Sequence, residues 1–554
     1  MTKFLKKVLV LAVAALLVCC LFSCALIAQK DDAEKQNQTE NQTQSESDSP
    51  TQNETQTNDD EQGGGQGDKQ PISDQPATDE PNTDQPVNDQ PNTDQPSGDQ
   101  PNNDQTDGGN GGSQGETPVE LKYEDLFDLN NQVAISIEIA DEELAKFSDD
   151  YYCNTYRVAD KVTFTVTKKD GTVLSEEVED VGIRMKGNTS RDHFFEEGVI
   201  EKNVHFKLSF NETFDDEAEY KPEERKTFAS SAERKARKDR TVFGLDGLEL
   251  KFNREFDASY SREIYASEVY KRNGIYAQDI TLGTLSFPNQ QSASSVDALY
   301  KIYEPVDKYF VHHYFSEGMD DGDLYKASYG NAAGMPTLNH SSDSDVAFGV
   351  DKTIYKNEKE IAYDLKTNKK KSQHEKLKSF LSWINSEETD LSETLGQYMD
   401  EDYFYTFAAI QYLTGDWDNF LYDSNNYYLY FADNGKAYFI PYDMDRTFGI
   451  EAKTNAMALR EITDSWNLQG FSNQSNLLLK TIFKDGSEAQ AKYVAKVKEL
   501  ASGVLNFDLF KTTVYDVVFA NYGEDFEIGL GNTPAEKNNA PESYFNQKAL
   551  AVAA

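Results

Sequence analysis

Residues 415–449 carry the densest set of groups able to do chemistry. Asp416 and Asp418 stand in Gly415-Asp416-Trp417-Asp418-Asn419, the amides of Asn425 and Asn426 follow, and Asp443 and Asp445 close the stretch in Pro441-Tyr442-Asp443-Met444-Asp445. Carboxylates and amides without histidine or cysteine make a hard oxygen site, suited to Mg²⁺ or Mn²⁺ together with a phosphate. Between the acidic runs, Tyr427-Tyr428-Leu429-Tyr430 and residues 437–440 read as two strands joined by a turn at Asp433-Asn434-Gly435. A hairpin returns the chain to where it began, so Asp416 and Asp418 are brought toward Asp443 and Asp445.

Other stretches join this one in a pattern. Asn425-Asn426-Tyr427-Tyr428-Leu429-Tyr430 and Pro441-Tyr442-Asp443-Met444-Asp445-Arg446-Thr447-Phe448-Gly449 are preceded by Arg184-Met185-Lys186-Gly187-Asn188-Thr189-Ser190, by Phe206-Lys207-Leu208-Ser209-Phe210, by Asp257 to Arg262, and by Tyr300-Lys301-Ile302-Tyr303-Glu304-Pro305-Val306-Asp307. Together they resemble the motifs of the CotH kinase family, spore-coat protein H and its relatives, over roughly residues 120–450. The resemblance implies an α+β, bilobed protein-kinase-like fold, with a β-rich N-lobe over 119–303 and a mainly helical C-lobe over 304–554. It implies phosphate transfer from ATP, with Mg²⁺ or Mn²⁺, to Ser or Thr of a protein or peptide. In that frame Asp418 is the base that accepts or orients the acceptor hydroxyl proton, with Asp416 the alternative. Asn426 and Asp443 ligate the metal, and Asp445 supports them or holds a second ion.

A nucleotide brings several negative charges to a chain whose formal net charge is −43. Screening beyond about 8 Å lets local cations offset that repulsion. Arg184, Lys186, Arg191, Lys202 and Lys207 are the candidates, around a turn containing Asn188 whose backbone N–H groups and hydroxyls can cradle phosphate. The resemblance favours Arg184 and leaves Lys202 and Lys207 as alternatives. A helix over 260–273 offers Glu263 or Glu268 to pair with the nucleotide lysine, and the strand 298–303 ends at Glu304-Pro305, where a kinase-like chain crosses between lobes and holds the adenine ring.

The elements that position these groups follow from periodicity. Residues 133–139, 161–168, 173–178, 181–186 and 204–210 alternate as strands, with a turn at Asp170-Gly171 and a short helix over 141–147 capped by Asp141. In the last strand Val204, Phe206, Leu208 and Phe210 share one face, and Lys207 lies on the other. Helices are expected at 309–315, 370–385, 403–413 and 475–514, and the stretch after Gly523 reads as polar and loose.

Composition excludes other classes. The acidic balance argues against a nucleic-acid partner and favours a neutral or basic one, such as a Ser-rich basic chain. Six scattered histidines give no zinc spacing, and Cys153 is the sole cysteine beyond the leader. Lys3, Lys6 and Lys7 precede an apolar run over 8–21 and then Phe22-Ser23-Cys24, which resembles a bacterial lipoprotein signal: residues 1–23 as signal peptide, Cys24 lipidated, the protein held on the outer face of a membrane. Residues 24–118, rich in Asp, Gln, Asn and Pro with a repeating Asp-Gln-Pro unit over 74–105, read as a disordered tether. About 90 such residues span on the order of 50 Å as a coil and roughly 280 Å when extended. A different class stays open: a non-catalytic surface lipoprotein, an adhesin or wall-binding module, on the same fold.

Overall fold

The structure is a computed structural model, and it describes residues 120–187, 189–255, 257–328, 336–338, 348–349, 361–386, 391–451, 456–463, 478–479, 484–531 and 540–554. The chain divides into two units, Met1–Gly109 and Asn110–Ala554, and every described residue belongs to the second.

Its first part is a closed barrel of seven strands: β1 Gln132–Glu138, β2 Arg157–Thr167, β3 Val173–Met185, β4 Phe206–Ser209, β5 Gly247–Phe252, β6 Ile280–Ser286 and β7 Leu299–Tyr303, in the order β1-β2-β3-β4-β5-β7-β6. Neighbours run antiparallel except β6, which closes the ring by pairing parallel with β1 (Ala134 opposite Thr284). Alternation builds it: Val133, Ile135 and Ile137 of β1, Ile183 and Met185 of β3, and Leu248 and Leu250 of β5 point into one core with Phe164 and Phe206. Two strands expected separately, at 173–178 and 181–186, are one strand, β3.

The main helices in chain order are α1 Asp141–Asp149, α2 Ser231–Lys238, α3 Arg262–Arg272, α4 Lys308–Tyr314, α5 Glu375–Ile384, α6 Glu401–Thr414, α7 Glu488–Val504 and α8 Pro541–Ala553. Ala140, not Asp141, stands at the N-cap of α1, so Asp141 acts as a first-turn acid facing the helix dipole. A second sheet of five strands lies among these helices: β8 Asp323–Ala327, β9 Phe348–Gly349, β10 Tyr363–Leu365, β11 Tyr427–Phe431 and β12 Ala437–Pro441, in the order β9-β10-β8-β11-β12. The α+β class therefore holds. The arrangement differs from expectation in that the β-rich part is a closed barrel and the remainder carries a sheet of its own.

The β11–β12 hairpin forms as the sequence predicts, with Gly435 at φ 80° in its turn. Both faces are buried. Tyr427, Leu429, Phe431 and Phe439 pack into the large helical core, while Tyr428, Tyr430, Tyr438 and Ile440 pack into a smaller cluster with Phe310 and Phe315. Helix α6 delivers the first acidic loop: the Asp400 carboxylate caps its start by accepting from the Tyr403 N–H, and Gly415 ends it at φ 69°. The stretch after Gly523 is not loose throughout. Helix α8 buries Tyr544, Phe545, Lys548 and Val552, a spacing of four residues that sets one face against the core.

Candidate active site

Four barrel strands turn a charged face outward. Against the inward Met185, Phe206, Leu250 and Ile302, they present Arg184, Lys186, Lys207, Glu249, Lys251, Lys301 and Tyr303. Register makes rows of them: Arg184 opposes Lys207, Lys207 opposes Glu249, Glu249 opposes Tyr303, and Lys251 opposes Lys301. Each of two buried glutamates sits between two lysines. Glu249 accepts from Lys186 at 2.5 Å and from Lys207 at 3.4 Å. Glu263, in the first turn of α3, accepts from Lys301 at 2.9 Å and from the Tyr303 hydroxyl at 2.5 Å, with Lys251 at 3.6 Å. Burial pushes the Glu249 carboxyl up, but Lys186 and Lys207 outweigh it and hold the group well below the usual carboxylate range.

The hairpin lays its second acidic loop on this face. Tyr442 accepts from Lys186 at 2.9 Å and donates to Glu249 at 3.3 Å. Asp443, in the left-handed region at φ 56°, pairs with Lys251. Burial would raise the Asp443 carboxyl, yet Lys251 and then Lys186 hold it below its ordinary value. Asp445 goes the other way: burial and the negative charges of Asp443 and Glu263 push its carboxyl well up. Lys251, Glu263, Lys301, Tyr303, Asp445 and Arg254 line a narrow crevice here.

The first acidic loop stands beside the second. Asp416 is buried and its carboxylate accepts from the Asp418 N–H at 2.9 Å, so it holds the turn. Asp418 is partly exposed and accepts from the Asn425 amide at 3.1 Å. Burial, opposed by that amide and reinforced by the charge of Asp443, pushes the Asp418 carboxyl up to about 6. The Asn426 side-chain amide donates to the Asp418 backbone carbonyl at 2.8 Å, and the Asn426 backbone carbonyl accepts from the Tyr442 N–H at 3.2 Å.

Of the residues singled out from sequence, Lys186, Lys207, Asp416, Asp418, Asn426, Asp443 and Asp445 are brought to these two loops and the facing strands. Three are not. Arg184 shares the outward face, but its guanidinium donates to the Asn154 side chain at 2.9 Å and lies over Tyr156. Lys202 pairs at 2.6 Å with Asp192 on the surface, about half exposed. Glu304 is fully buried: its N–H donates to the Asp279 carbonyl, its carbonyl accepts from Gln278, and its carboxylate accepts from the Asp279 N–H and the Tyr314 hydroxyl. Those backbone groups are committed inside the fold. Asn188 lies outside the described residues. Between the two eligible helix acids, Glu263 faces the lysines, and Glu268 pairs with Lys271 at 2.5 Å.

Sequence reasoning missed Lys251, Lys301 and Glu249. The signal was present in Leu248-Glu249-Leu250-Lys251, where charge alternates with leucine in a strand, and in Lys301 within Tyr300-Lys301-Ile302-Tyr303.

A family model described as CotH kinase protein matches residues 202–518, more than half of the 554-residue chain. The chain belongs to the CotH kinase family. Among curated relatives, a stretch of 75 residues is 37% identical to Spore coat protein homolog 1 of Rhizopus delemar, covering 13% of this chain and 12% of that protein. Another of 63 residues is 36% identical to Invasin CotH7 of the same fungus, covering 11% of each. The chain thus matches about a tenth of the length of these relatives. A solved structure, the Helicobacter pylori proinflammatory kinase CtkA, aligns over 50% of this chain and 91% of its own at 11% identity and a TM-score of 0.23.

Membership of the CotH kinase family makes a divalent ion a question for these residues. Among the described residues no group of three or more His, Cys, Asp and Glu gathers as a metal site. Asp443 and Asp445 provide two carboxylates, and Asn426, whose amide nitrogen is committed to Asp418, offers its oxygen. Mg²⁺ is commonly held by one or two carboxylates plus substrate phosphate, and these side chains are oxygen donors of that kind. Burial first, and then the charges of Asp443 and Glu263, raise the Asp445 carboxyl, and a cation beside it would lower it.

Proposed function

We propose that the protein is an extracytoplasmic kinase that transfers the terminal phosphate of ATP to Ser or Thr of a protein or peptide. The observation that carries this reading is the Lys251 ammonium between Asp443 and Glu263. Phosphoryl transfer asks the protein mainly for position and charge compensation, and a cation fixed by a helix acid beside a metal-binding carboxylate supplies both. In this reading the barrel and the helical part are the two lobes of a kinase-like fold. Lys251, with Lys186 and Lys301 near it, binds phosphate, which moves the nucleotide lysine away from Lys202 and Lys207.

Asp443, Asp445 and Asn426 would hold a divalent ion, which would supply positive charge against the phosphates. Asp443, with 36% of its side chain exposed, is open to it. Asp418 takes the acceptor hydroxyl proton; at about 6 its carboxyl is mostly ionised at neutral pH and still basic enough to serve. The acceptor oxygen bonds to the γ-phosphorus, the bond to the β-phosphate oxygen breaks, and ADP leaves. The acidic chain favours a basic acceptor. The lipoprotein-like leader with Cys24 supports placement outside a bacterial cell membrane, and the names of the two fungal relatives, a spore coat protein homolog and an invasin, support a surface location.

A second reading is a non-catalytic surface protein. The name Invasin CotH7 favours it, as does the direct Lys251–Asp443 pair, which satisfies the acid without metal. Incubating the purified protein with γ-labelled ATP, Mg²⁺ or Mn²⁺ and a basic protein separates the two. The kinase reading requires label on the protein or the acceptor, and its loss in Asp443→Ala. Equal labelling by both proteins overturns the site assignment, and no nucleotide binding at all supports the second reading.

A further inference from the structure

Helix α8 lies beyond the stretch that matches the family, residues 202–518, yet it is packed against both aspartate loops. Its Tyr544 hydroxyl donates to the Leu413 carbonyl at 3.1 Å. The same hydroxyl fills the space beside Gly415, where a Cβ would come within 2.0 Å of it. Gly415 must be glycine twice over, for that contact and for its φ of 69°. One residue later comes Asp416, whose carboxylate holds the Asp418 N–H.

The neighbouring Phe545 ring stacks on Phe448 at 5.0 Å and 12°, three residues after Asp445. Phe448 is where the two loops join: its N–H donates to the Thr414 carbonyl at 2.9 Å, and its carbonyl accepts from the Arg262 Nε at 3.2 Å. Arg262 precedes Glu263, the acid of the lysine network. A third anchor, the buried Lys548, donates to the Met457 carbonyl at 2.9 Å and lies 3.4 Å from the centre of the Tyr412 ring on α6.

We infer that α8 is a carboxyl-terminal clasp that sets the Asp418 loop against the Asp443 loop and both against α3, with Tyr544 and Phe545 as positioning residues for phosphate transfer. Neither side chain touches the crevice, so their effect passes through Gly415 and Phe448. A displacement of about 1 Å at reacting groups can cost on the order of a hundredfold in rate. The inference rests on the proposed kinase reading for its rate arm, and it has a second arm that does not.

The test uses the full chain with Phe545→Ala, Phe545→Leu, Tyr544→Ala and Tyr544→Phe. In the rate arm, Phe545→Ala is expected to lower kcat at least tenfold while KM for ATP changes less than threefold, and Phe545→Leu to recover most of the loss. In the second arm, amide hydrogen exchange at Asp418 and Phe448 is expected to speed up at least tenfold in Phe545→Ala and Tyr544→Ala, with β1 and β2 unchanged. Tyr544→Phe keeps the ring and is expected to fall between wild type and Tyr544→Ala. Unaltered exchange in both loops, or faster exchange spread evenly through the barrel, overturns the clasp. Faster loop exchange in a protein that labels nothing keeps the clasp and removes the kinase.

Discussion

At the scale of single residues, the first question is which lysine meets the nucleotide. Lys202 and Lys207 flank a turn rich in phosphate-binding groups, but Lys202 pairs with Asp192 on the surface and Lys207, like Lys186, pairs with Glu249. Lys251 stands next to Asp443 instead. Lys251→Met is therefore expected to weaken ATP binding at least tenfold, about 1.4 kcal/mol, whereas Lys202→Met leaves it unchanged; titration calorimetry reads both, and the reverse order contradicts the assignment. Asp418 gives a second expectation. A base must be ionised, so activity should rise with pH through a midpoint near 6. Asn425 lowers that value by donating to the carboxylate, so Asn425→Ala should shift the midpoint upward. A midpoint that ignores this substitution assigns the base elsewhere.

At the scale of elements, the hairpin was legible because its signals are local: an Asp-Asn-Gly turn, two short aromatic runs and acids at both ends. Barrel closure was not, since the parallel contact of β1 with β6 joins residues about 150 apart, and no neighbouring residue announces it. The charged barrel face was half legible. Alternation in 204–210 put Lys207 outside, and the same reading applied to β5 and β7 yields Glu249, Lys251, Lys301 and Tyr303. Helix α8 escaped because the polar stretch of residues 523–540 before it makes the tail look unstructured. The buried glutamates also carry a stability expectation. Glu249→Gln leaves Lys186 and Lys207 facing each other without their shared acid, and breaking a buried pair costs about 3–5 kcal/mol. Denaturant unfolding should register most of that loss; a change below about 0.5 kcal/mol contradicts a structural role. Because the folded Glu249 titrates below its ordinary 4.5, its contribution is complete above that pH and is lost as pH falls through the folded value.

At the scale of the whole molecule, the charge of −43 and the lipoprotein-like leader bear on place and partner more than on chemistry. Among the described residues no helix is long and apolar enough to cross a membrane, and the leader lies outside them. Cys24→Ala is expected to move the protein from the membrane fraction to the soluble fraction of its native host type, and membrane retention by the variant contradicts a lipid anchor at that cysteine. The family follows from the match over 202–518, while the proposed metal rests on the acidic loops and the proposed basic acceptor on the charge of the chain. The most direct test of that site is calorimetric titration of ATP with Mn²⁺ into the wild type and Asp443→Ala. Saturable binding that requires the metal in the wild type and loses that requirement in Asp443→Ala is the result expected. Metal-dependent binding of equal strength in both proteins contradicts the assignment of Asp443 to metal-dependent nucleotide binding.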